Sequence, residues 1–283
     1  MSDQFQIKRV EVKKRDINLE DYKLRSALES DYTTLYKEST MLVVDGVVKV
    51  IYLDLDEVGF DATNIVEALK RIKYETNTRT GGLKTTSRIF GFSPRVTVRK
   101  DFCSATSLAK EAPKEHKIVT DYAKKVSQIY KEISPEIYSE HEKEASKVLK
   151  NWKIEDSPFT SGIINKNNPL KYHFDTGNFT DVYSCMLGFK HNIAGGYLAC
   201  PEYDCAFEIK NNSLHIFDGQ NILHGVTPFK QLTEDAFRYT IVYYSLKSMW
   251  ACLPVDEEVI RIRKLKTERE FKRAEAEAFK NVR

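Results

Sequence analysis

Long apolar runs are missing from this chain, and their absence argues against a membrane protein. No apolar stretch approaches the roughly 18 residues that a membrane-spanning helix needs. The first residues, MSDQFQIKRVEVKKRD, lack the apolar segment of a secretory signal. We therefore expect a protein that is neither membrane-bound nor secreted and that works in a cytoplasmic or nuclear-type reducing compartment.

Cysteine is scarce and irregularly placed. The five cysteines are odd in number and lack the paired spacing that is typical of a zinc site. We expect all five to be reduced thiols, in agreement with a reducing compartment. They are Cys103, Cys185, Cys200, Cys205 and Cys252.

The chain also has little excess of one sign of charge. The formal net charge is +3 over 283 residues, which is too small by itself to indicate nucleic-acid binding. The distribution is more informative, because residues 71–100 contain eight positive residues and a single acid, Glu75. The positive residues of this basic segment are Arg71, Lys73, Arg79, Lys84, Arg88, Arg95, Arg99 and Lys100.

The first part of the chain predicts a hairpin followed by a helix. In residues 41–53, MLVVDGVVKVIYL, the pair Asp45-Gly46 separates two β-branched runs, which is a strong hairpin signal. Residues 60–75, FDATNIVEALKRIKYE, predict a helix capped by Thr63 or Asn64. The apolar stripe of that helix is Ile65, Leu69 and Ile72.

The predicted secondary structure changes twice along the rest of the chain. Residues 113–152 are helical in pattern and are interrupted at Pro135. From about residue 157 short apolar segments separated by Gly and Asn predict many short strands, which favours a sandwich or barrel. Residues 254–283 predict a charged helix that lies on the body or protrudes, and a basic nucleic-acid arm is the less favoured interpretation.

The segment YHFDTGNF, residues 172–179, contains the first candidate site. Side chains alternate along a strand, so His173 and Asp175 are expected on one face and Tyr172 and Phe174 on the other. An imidazole and a carboxylate buried side by side are costly unless something pairs with them. A divalent metal is a suitable partner.

A second histidine and an arginine complete the pattern. His224 in NILHGVTPF is the second histidine ligand that we expect. Two histidines and one carboxylate leave open positions on an octahedral metal, which is typical of non-haem Fe(II) oxygenases. Arg238 and Thr240 share one face of the strand FRYTIVYYS. An arginine pointing into an apolar barrel needs an anion, such as the distal carboxylate of a dicarboxylate co-substrate.

This order of residues resembles that of a known class of enzyme. The chain contains His173-x-Asp175, then a histidine about fifty residues later, then an Arg-x-Thr fourteen residues after that. This order and spacing resemble the pattern of 2-oxoglutarate/Fe(II)-dependent dioxygenases. The resemblance implies Fe(II), 2-oxoglutarate and O2, and an α+β fold whose core is a double-stranded β-helix with flanking helices. The alternative is a structural His-Asp pair, an ordinary loop histidine and an arginine salt-bridged to an acid.

Within that class the chain resembles the TET/J-binding-protein family, which oxidises the C5-methyl group of pyrimidines in DNA. The likeness covers residues 85–250 with gaps, including SPFTSGIINKNNPLKYHFDTGN and GGYLACPEYDCAFEIKNNSLHIFDGQNILHGV. No cysteine-rich zinc module is present, so a member would be a minimal form of viral, bacterial or protist type. We expect one domain, with a hairpin and helix in 1–75, the catalytic region in 76–253 and the charged helix in 254–283.

The resemblance also implies roles for individual residues. Asn178 completes an H-x-D-x-x-N pattern and would contact the target base, although a loop cap is an equally good explanation. Arg95 is the candidate for a second contact to 2-oxoglutarate, with Arg88 and Arg99 as competitors. Because a base inside a duplex cannot reach buried iron, the substrate would be single-stranded DNA or a flipped base. Lys84 and Arg88 suit phosphate contacts.

Two other functions fit part of this pattern. A prolyl-type protein hydroxylase would share the metal ligands, but such enzymes usually place lysine where Arg238 stands. A non-catalytic nucleic-acid-binding module would have no reason to keep all four of His173, Asp175, His224 and Arg238. We therefore expect an enzyme that acts on DNA.

Overall fold

The computed structural model of the protein describes residues 5–78, 84–95 and 101–280, and the side chains at 77, 78, 84 and 276–280 lie outside that description. Within these residues the strands are β1 Lys8–Val12, β2 Thr34–Tyr36, β3 Thr40–Val44, β4 Val47–Asp54, β5 Glu75–Thr78, β6 Lys84–Ser93, β7 Ser104–Ala105, β8 Ser161–Lys166, β9 Leu170–His173, β10 Ser184–His191, β11 Ile193–Gly195, β12 Leu198–Cys200, β13 Cys205–Phe207, β14 Ser213–Phe217, β15 His224–Val226, β16 Phe229–Gln231 and β17 Phe237–Tyr244. The α-helices are α1 Thr63–Arg71, α2 Ser107–Glu111, α3 Pro113–Ile133, α4 Pro135–Ala145 and α5 Val255–Lys280.

Two sheets form the body of the protein. The larger sheet has the strand order β1-β3-β4-β14-β10-β17-β8-β6-β5, and β7 pairs with β6. The smaller sheet has the order β2-β13-β12-β15-β9. Buried side chains of both sheets, including Leu42, Tyr52 and Met186 of the larger and Leu198 and Phe207 of the smaller, form one apolar cluster. A second cluster packs α1 and α3 against strands of the larger sheet.

The predicted hairpin is confirmed and belongs to the larger sheet. Asp45 and Gly46 have φ of 49° and 77°, and positive φ at both positions is the geometry of a tight primed turn. Residues 50–54 of the second hairpin strand, β4, pair with β14 of the C-terminal half. Strands from the first sixty residues therefore extend the sheet that we expected to begin near residue 157.

The predicted helices form, with a correction at one cap. Ala62, rather than Thr63 or Asn64, is the N-cap of α1, and Asp61 accepts the Thr63 N–H at 3.0 Å. Its predicted stripe of Ile65, Leu69 and Ile72 is buried. Helix α3 ends before Pro135, because proline cannot supply the N–H that would continue it. None of the helices in the described ranges is both long and apolar enough to cross a membrane.

The cysteines depart from the prediction of five reduced thiols. Cys103 and Cys252 form a disulfide with a Cα–Cα distance of 5.7 Å. Cys185, Cys200 and Cys205 are free and buried, as expected. The two bonded residues are 149 positions apart, so their pairing depends on tertiary proximity that sequence spacing does not reveal.

Candidate metal centre

Two neighbouring strands of the smaller sheet bring the two predicted histidines together. His173, the last residue of β9, pairs directly with His224, the first residue of β15, and their ring centroids are 4.4 Å apart. Strand β9 ends at His173, so Asp175 lies in the loop rather than on the strand face that we expected. Its backbone N–H donates to the Gly219 carbonyl at 2.8 Å, which fixes this loop beside the histidines.

The three side chains can share one metal ion. One ligand atom from each of His173, Asp175 and His224 lies within 4.8 Å of the other two. The Asp175 Oδ1 atom is 3.6 Å from His173 Nε2 and 3.9 Å from His224 Nε2. Two imidazole nitrogens and one carboxylate are the donor set of an open non-haem iron site. The predicted metal ligands therefore converge, and they fit Fe(II).

Backbone carbonyls orient both imidazoles. His173 Nδ1 lies 2.8 Å from the Lys171 carbonyl, and His224 Nδ1 lies 2.9 Å from the Ile222 carbonyl. A carbonyl oxygen only accepts, so each Nδ1 carries the proton and each Nε2 presents a lone pair. Burial, helped by the nearby His173, lowers the pKa of His224 to about 4. The imidazole is therefore neutral, as a metal ligand must be.

Gly219 is a part of this site that sequence reasoning missed. The Asp218-Gly219 pair predicts a turn, which accounts for the glycine without reference to the metal. In the structure a Cβ on Gly219 would lie 2.4 Å from Asp175 Oδ2. The glycine thus leaves room for the carboxylate, a requirement that only the position of the neighbouring loop reveals.

We expect Gly219→Ala to lower the affinity for iron with little loss of stability. The atom in the way is the end of a side chain, so the Asp175 carboxylate can swing aside without moving backbone. A displaced supporting contact typically costs 10–100-fold in metal affinity. Anaerobic Fe(II) titration and thermal unfolding of the iron-free protein would measure the two effects.

Gly59→Ala is the converse control, because Gly59 has a φ of 62° and nothing lies within 4 Å of the added Cβ. This variant should lose roughly 1 kcal/mol of stability and keep its iron affinity. An unchanged iron affinity in Gly219→Ala would contradict the proposed crowding of Asp175.

Arg238 is a buried cation without an anion. Its side chain is 1% exposed, and it forms no ion pair with a carboxylate of the described residues. Nη1 donates to the Asn168 carbonyl at 3.4 Å, whereas Nε and Nη2 have no hydrogen-bond partner among the described residues. Burial lowers the pKa of Arg238 to about 10, so the guanidinium stays charged at neutral pH. Its unused donors fit a carboxylate such as that of 2-oxoglutarate.

A pocket of about 300 Å³ borders the metal ligands and the strand that carries Arg238. His173, Asp175 and His224 line it together with Thr240 and Asn178. Thr240 lies two residues from Arg238 on β17, and alternation places both on the same face. Asn178 is buried and donates from Nδ2 to the Ser184 hydroxyl at 3.2 Å. Thr240 and Asn178 therefore line the same pocket as the metal ligands, and their predicted roles stay predictions.

The structure contradicts the predicted roles of Arg88 in binding phosphate or 2-oxoglutarate. Its side chain is 3% exposed and forms ion pairs with Glu75 and Glu111, so it cannot reach a DNA phosphate or 2-oxoglutarate. A phosphate contact needs an exposed side chain, but residue 88 lies on β6, inside the larger sheet.

Arg95 also has a partner of its own. It donates from Nη2 to the buried carboxylate of Glu258 at 2.6 Å. The structure thus favours an anchoring contact to α5 over the predicted contact to 2-oxoglutarate. Arg99 and the side chain of Lys84 lie outside the described residues, so their predicted roles stay predictions.

Comparison with known proteins agrees with this geometry. The family described as the oxygenase domain of the 2OGFeDO superfamily, Tet_JBP, matches residues 92–247. Thymine dioxygenase JBP1 of Trypanosoma brucei brucei is 27% identical over 192 residues, which cover 67% of this chain and 22% of that protein. The chain thus aligns with about a fifth of the length of this relative.

A solved structure supports the fold. NgTET1 in complex with 5mC DNA has a TM-score of 0.60 and 13% identity, with 92% of this chain and 90% of that chain covered. The similarity confirms the predicted α+β double-stranded β-helix. Because the family match spans more than half of the chain, this protein belongs to the TET/JBP family of 2-oxoglutarate/Fe(II)-dependent dioxygenases.

Proposed function

We propose that this dioxygenase hydroxylates the C5-methyl group of a pyrimidine in DNA, either 5-methylcytosine or thymine. The observation that carries the proposal is the convergence of His173, Asp175 and His224 on a pocket whose wall also holds Asn178. The names of the relatives support the substrate class, since one is a thymine dioxygenase and another binds DNA containing 5mC.

Each residue has a distinct part in this proposal. His173, Asp175 and His224 would hold Fe(II), which leaves three positions of an octahedral ion for co-substrate and O2. Arg238 would bind the distal carboxylate of 2-oxoglutarate, with the Thr240 hydroxyl beside it. When bound, iron and 2-oxoglutarate supply the O2 activation and the oxidant that an inert C–H bond requires.

The pocket limits the form of the substrate. A volume of about 300 Å³ is at the lower end of ligand pockets, so it admits a small group rather than a folded chain. The methyl group would reach the iron only from a single strand or from a base flipped out of the duplex. Asn178 would read the edge of that base, because an amide both donates and accepts hydrogen bonds.

The test is a product analysis on DNA. Anaerobically iron-loaded protein is given 2-oxoglutarate, air and DNA that contains either 5-methylcytosine or only the four normal bases, and digested nucleosides are analysed by mass spectrometry. We expect a gain of one oxygen on 5-methylcytosine or thymine, matched by succinate. Asn178→Ala should reduce this product while iron stays bound.

Two outcomes would count against the proposal. Succinate without any altered nucleoside would keep the enzyme class and direct the search to protein substrates, including prolyl residues. An altered nucleoside that forms equally well with Asp175→Ala would show that the product does not come from this site.

A further inference from the structure

Helix α5 is held firmly at its start. Glu258, in its first turn, is 1% exposed and accepts hydrogen bonds from Arg95 Nη2 at 2.6 Å and from the backbone N–H groups of Cys103 and Leu253. One turn later Arg261 donates from Nη2 to Asp101 at 2.9 Å. These contacts fix the direction in which the helix leaves the body.

The second half of the same helix leaves the body. Ile262 and Leu265 are half-buried, whereas every residue from 266 to 275 is exposed. At 1.5 Å per residue, the part from Leu265 to Lys280 extends for about 22 Å. Among the described side chains of this part, only Phe271 is a large apolar residue, and it is exposed as well. A helix whose described side chains are all exposed gains little stability from tertiary burial, which suggests that the exposed part has another role.

The side of the helix that packs on the body continues as a basic stripe. Positions three and four apart share a helix face, so the line through Ile262 and Leu265 continues through the exposed Lys266, Arg269, Lys272 and Arg273. We call these four residues the basic stripe. None of them forms an ion pair with a carboxylate in the part of the chain that the structure describes.

The charge of this stretch is strongly positive. Residues 261–273 contain seven basic and two acidic side chains, a net charge of +5, whereas the whole chain carries only +3. The two acids, Glu268 and Glu270, flank the stripe rather than interrupt it. Exposed cations in a row on one helix face, without a carboxylate partner among the described side chains, match a regularly spaced polyanion.

The segment just before α5 lies next to the candidate active site. Leu246 pairs with Asn178, and the Trp250 ring stacks on Phe179 with centroids 5.1 Å apart. Both contacts are made by the chain just before α5 with the loop that carries the metal ligand Asp175. The segment that leads into α5 therefore lies against the loop that borders the pocket.

We propose that the basic stripe is a duplex clamp, which binds the phosphates of DNA beside the nucleotide that enters the pocket. The choice of DNA over other polyanions rests on the proposed function. The stripe lies on the body side of the overhang, so a duplex held against the body meets all four cations. Contacts of this kind contribute affinity and position, without reading sequence.

The test compares two double substitutions on the same helix. Arg269→Gln with Arg273→Gln removes two charges from the stripe, and Arg263→Gln with Lys264→Gln removes two exposed charges from the opposite side. Binding of an unmodified duplex to the full-length protein is measured over a range of salt concentrations. Turnover of a short single-stranded methylated substrate is measured in parallel for the wild type and both variants.

We expect the stripe variant to flatten the slope of log K against log salt by about 1.8, which corresponds to two lost phosphate contacts. The control variant should keep the wild-type slope, and both should turn over the short substrate normally. Equal slopes in the two variants would overturn the clamp, since a general positive field would then suffice. A stripe effect on anionic phospholipid vesicles with none on DNA would also overturn it.

The two proposals can fail separately. If wild-type protein yields no oxidised nucleoside but the stripe variant alone loses salt-dependent duplex binding, the substrate proposal fails and the clamp stands. If nucleosides are oxidised and both variants bind duplex like the wild type, the clamp fails and the substrate proposal stands.

Discussion

Replacing Asp175 with alanine is expected to abolish iron binding and all 2-oxoglutarate turnover. Asp175 supplies the only carboxylate of the ligand cluster described above, and its Oδ1 atom faces Nε2 of both histidines. Loss of an outer partner of a ligand already costs 10–100-fold, so loss of the ligand itself should cost more than about 100-fold. Anaerobic Fe(II) titration and succinate formation would measure the effect.

Stability provides an independent measure of the same substitution. Iron that binds only the folded state raises the melting temperature of the wild type, and this rise should vanish in Asp175→Ala. The melting temperature of the iron-free protein should change little, because Asp175 lies in a loop and is partly exposed. Asp235→Ala, which removes an exposed acid beside His191, is the matched control and should retain iron. Full iron affinity in Asp175→Ala would refute the metal centre.

Replacing Arg238 with methionine is expected to weaken 2-oxoglutarate binding and to stabilise the ligand-free protein. Removing one partner of a buried charge pair costs about 2–5 kcal/mol, which corresponds to at least a 30-fold rise in the KM for 2-oxoglutarate. In the absence of co-substrate the guanidinium is buried, and two of its nitrogens have no partner in the described part of the chain. Replacing buried charges by an apolar side chain is often stabilising by about 1–4 kcal/mol.

Two further variants separate charge from geometry. Arg238→Lys keeps the charge but loses the two-pronged contact, so its KM should lie between those of the wild type and Arg238→Met. Lys190, opposite Arg238 on β10, already pairs with Glu208 at 2.9 Å. Lys190→Met should therefore leave the KM unchanged and lower stability, the opposite sign to Arg238→Met. An unchanged KM in Arg238→Met would exclude this residue from the co-substrate site.

The ligands of the metal centre could be predicted from the sequence because they are ordered along short strands. The spacing of His173, Asp175, His224 and Arg238 matches a known pattern, and each lies at or next to a strand whose alternating residues are visible in the sequence. Local rules also predicted the hairpin at Asp45-Gly46 and the break between α3 and α4, since turn and proline chemistry act within a few residues.

The environment of the basic residues could not be predicted in this way. Arg88 and Arg95 belong to the basic segment, from which we expected contacts to phosphate or 2-oxoglutarate. Their guanidinium groups instead pair with Glu111 and Glu258, which lie 23 and 163 positions away. Counting charges along the sequence identifies the residues next to an arginine in the chain. It does not identify the carboxylates that the fold brings next to its guanidinium group.

The sequence by itself therefore indicated the class of chemistry, the three side chains that converge in the candidate metal centre, the Asp45-Gly46 hairpin and the main helices, because these depend on residue type and short-range periodicity. Only the tertiary structure decided which cations are free, which are paired, where Gly219 must leave space and which cysteines meet. These depend on contacts between segments far apart in the chain, since burial and pairing are set by the packing of the two sheets. The same packing buries Arg238 without a carboxylate partner among the described residues and leaves the basic stripe of α5 exposed.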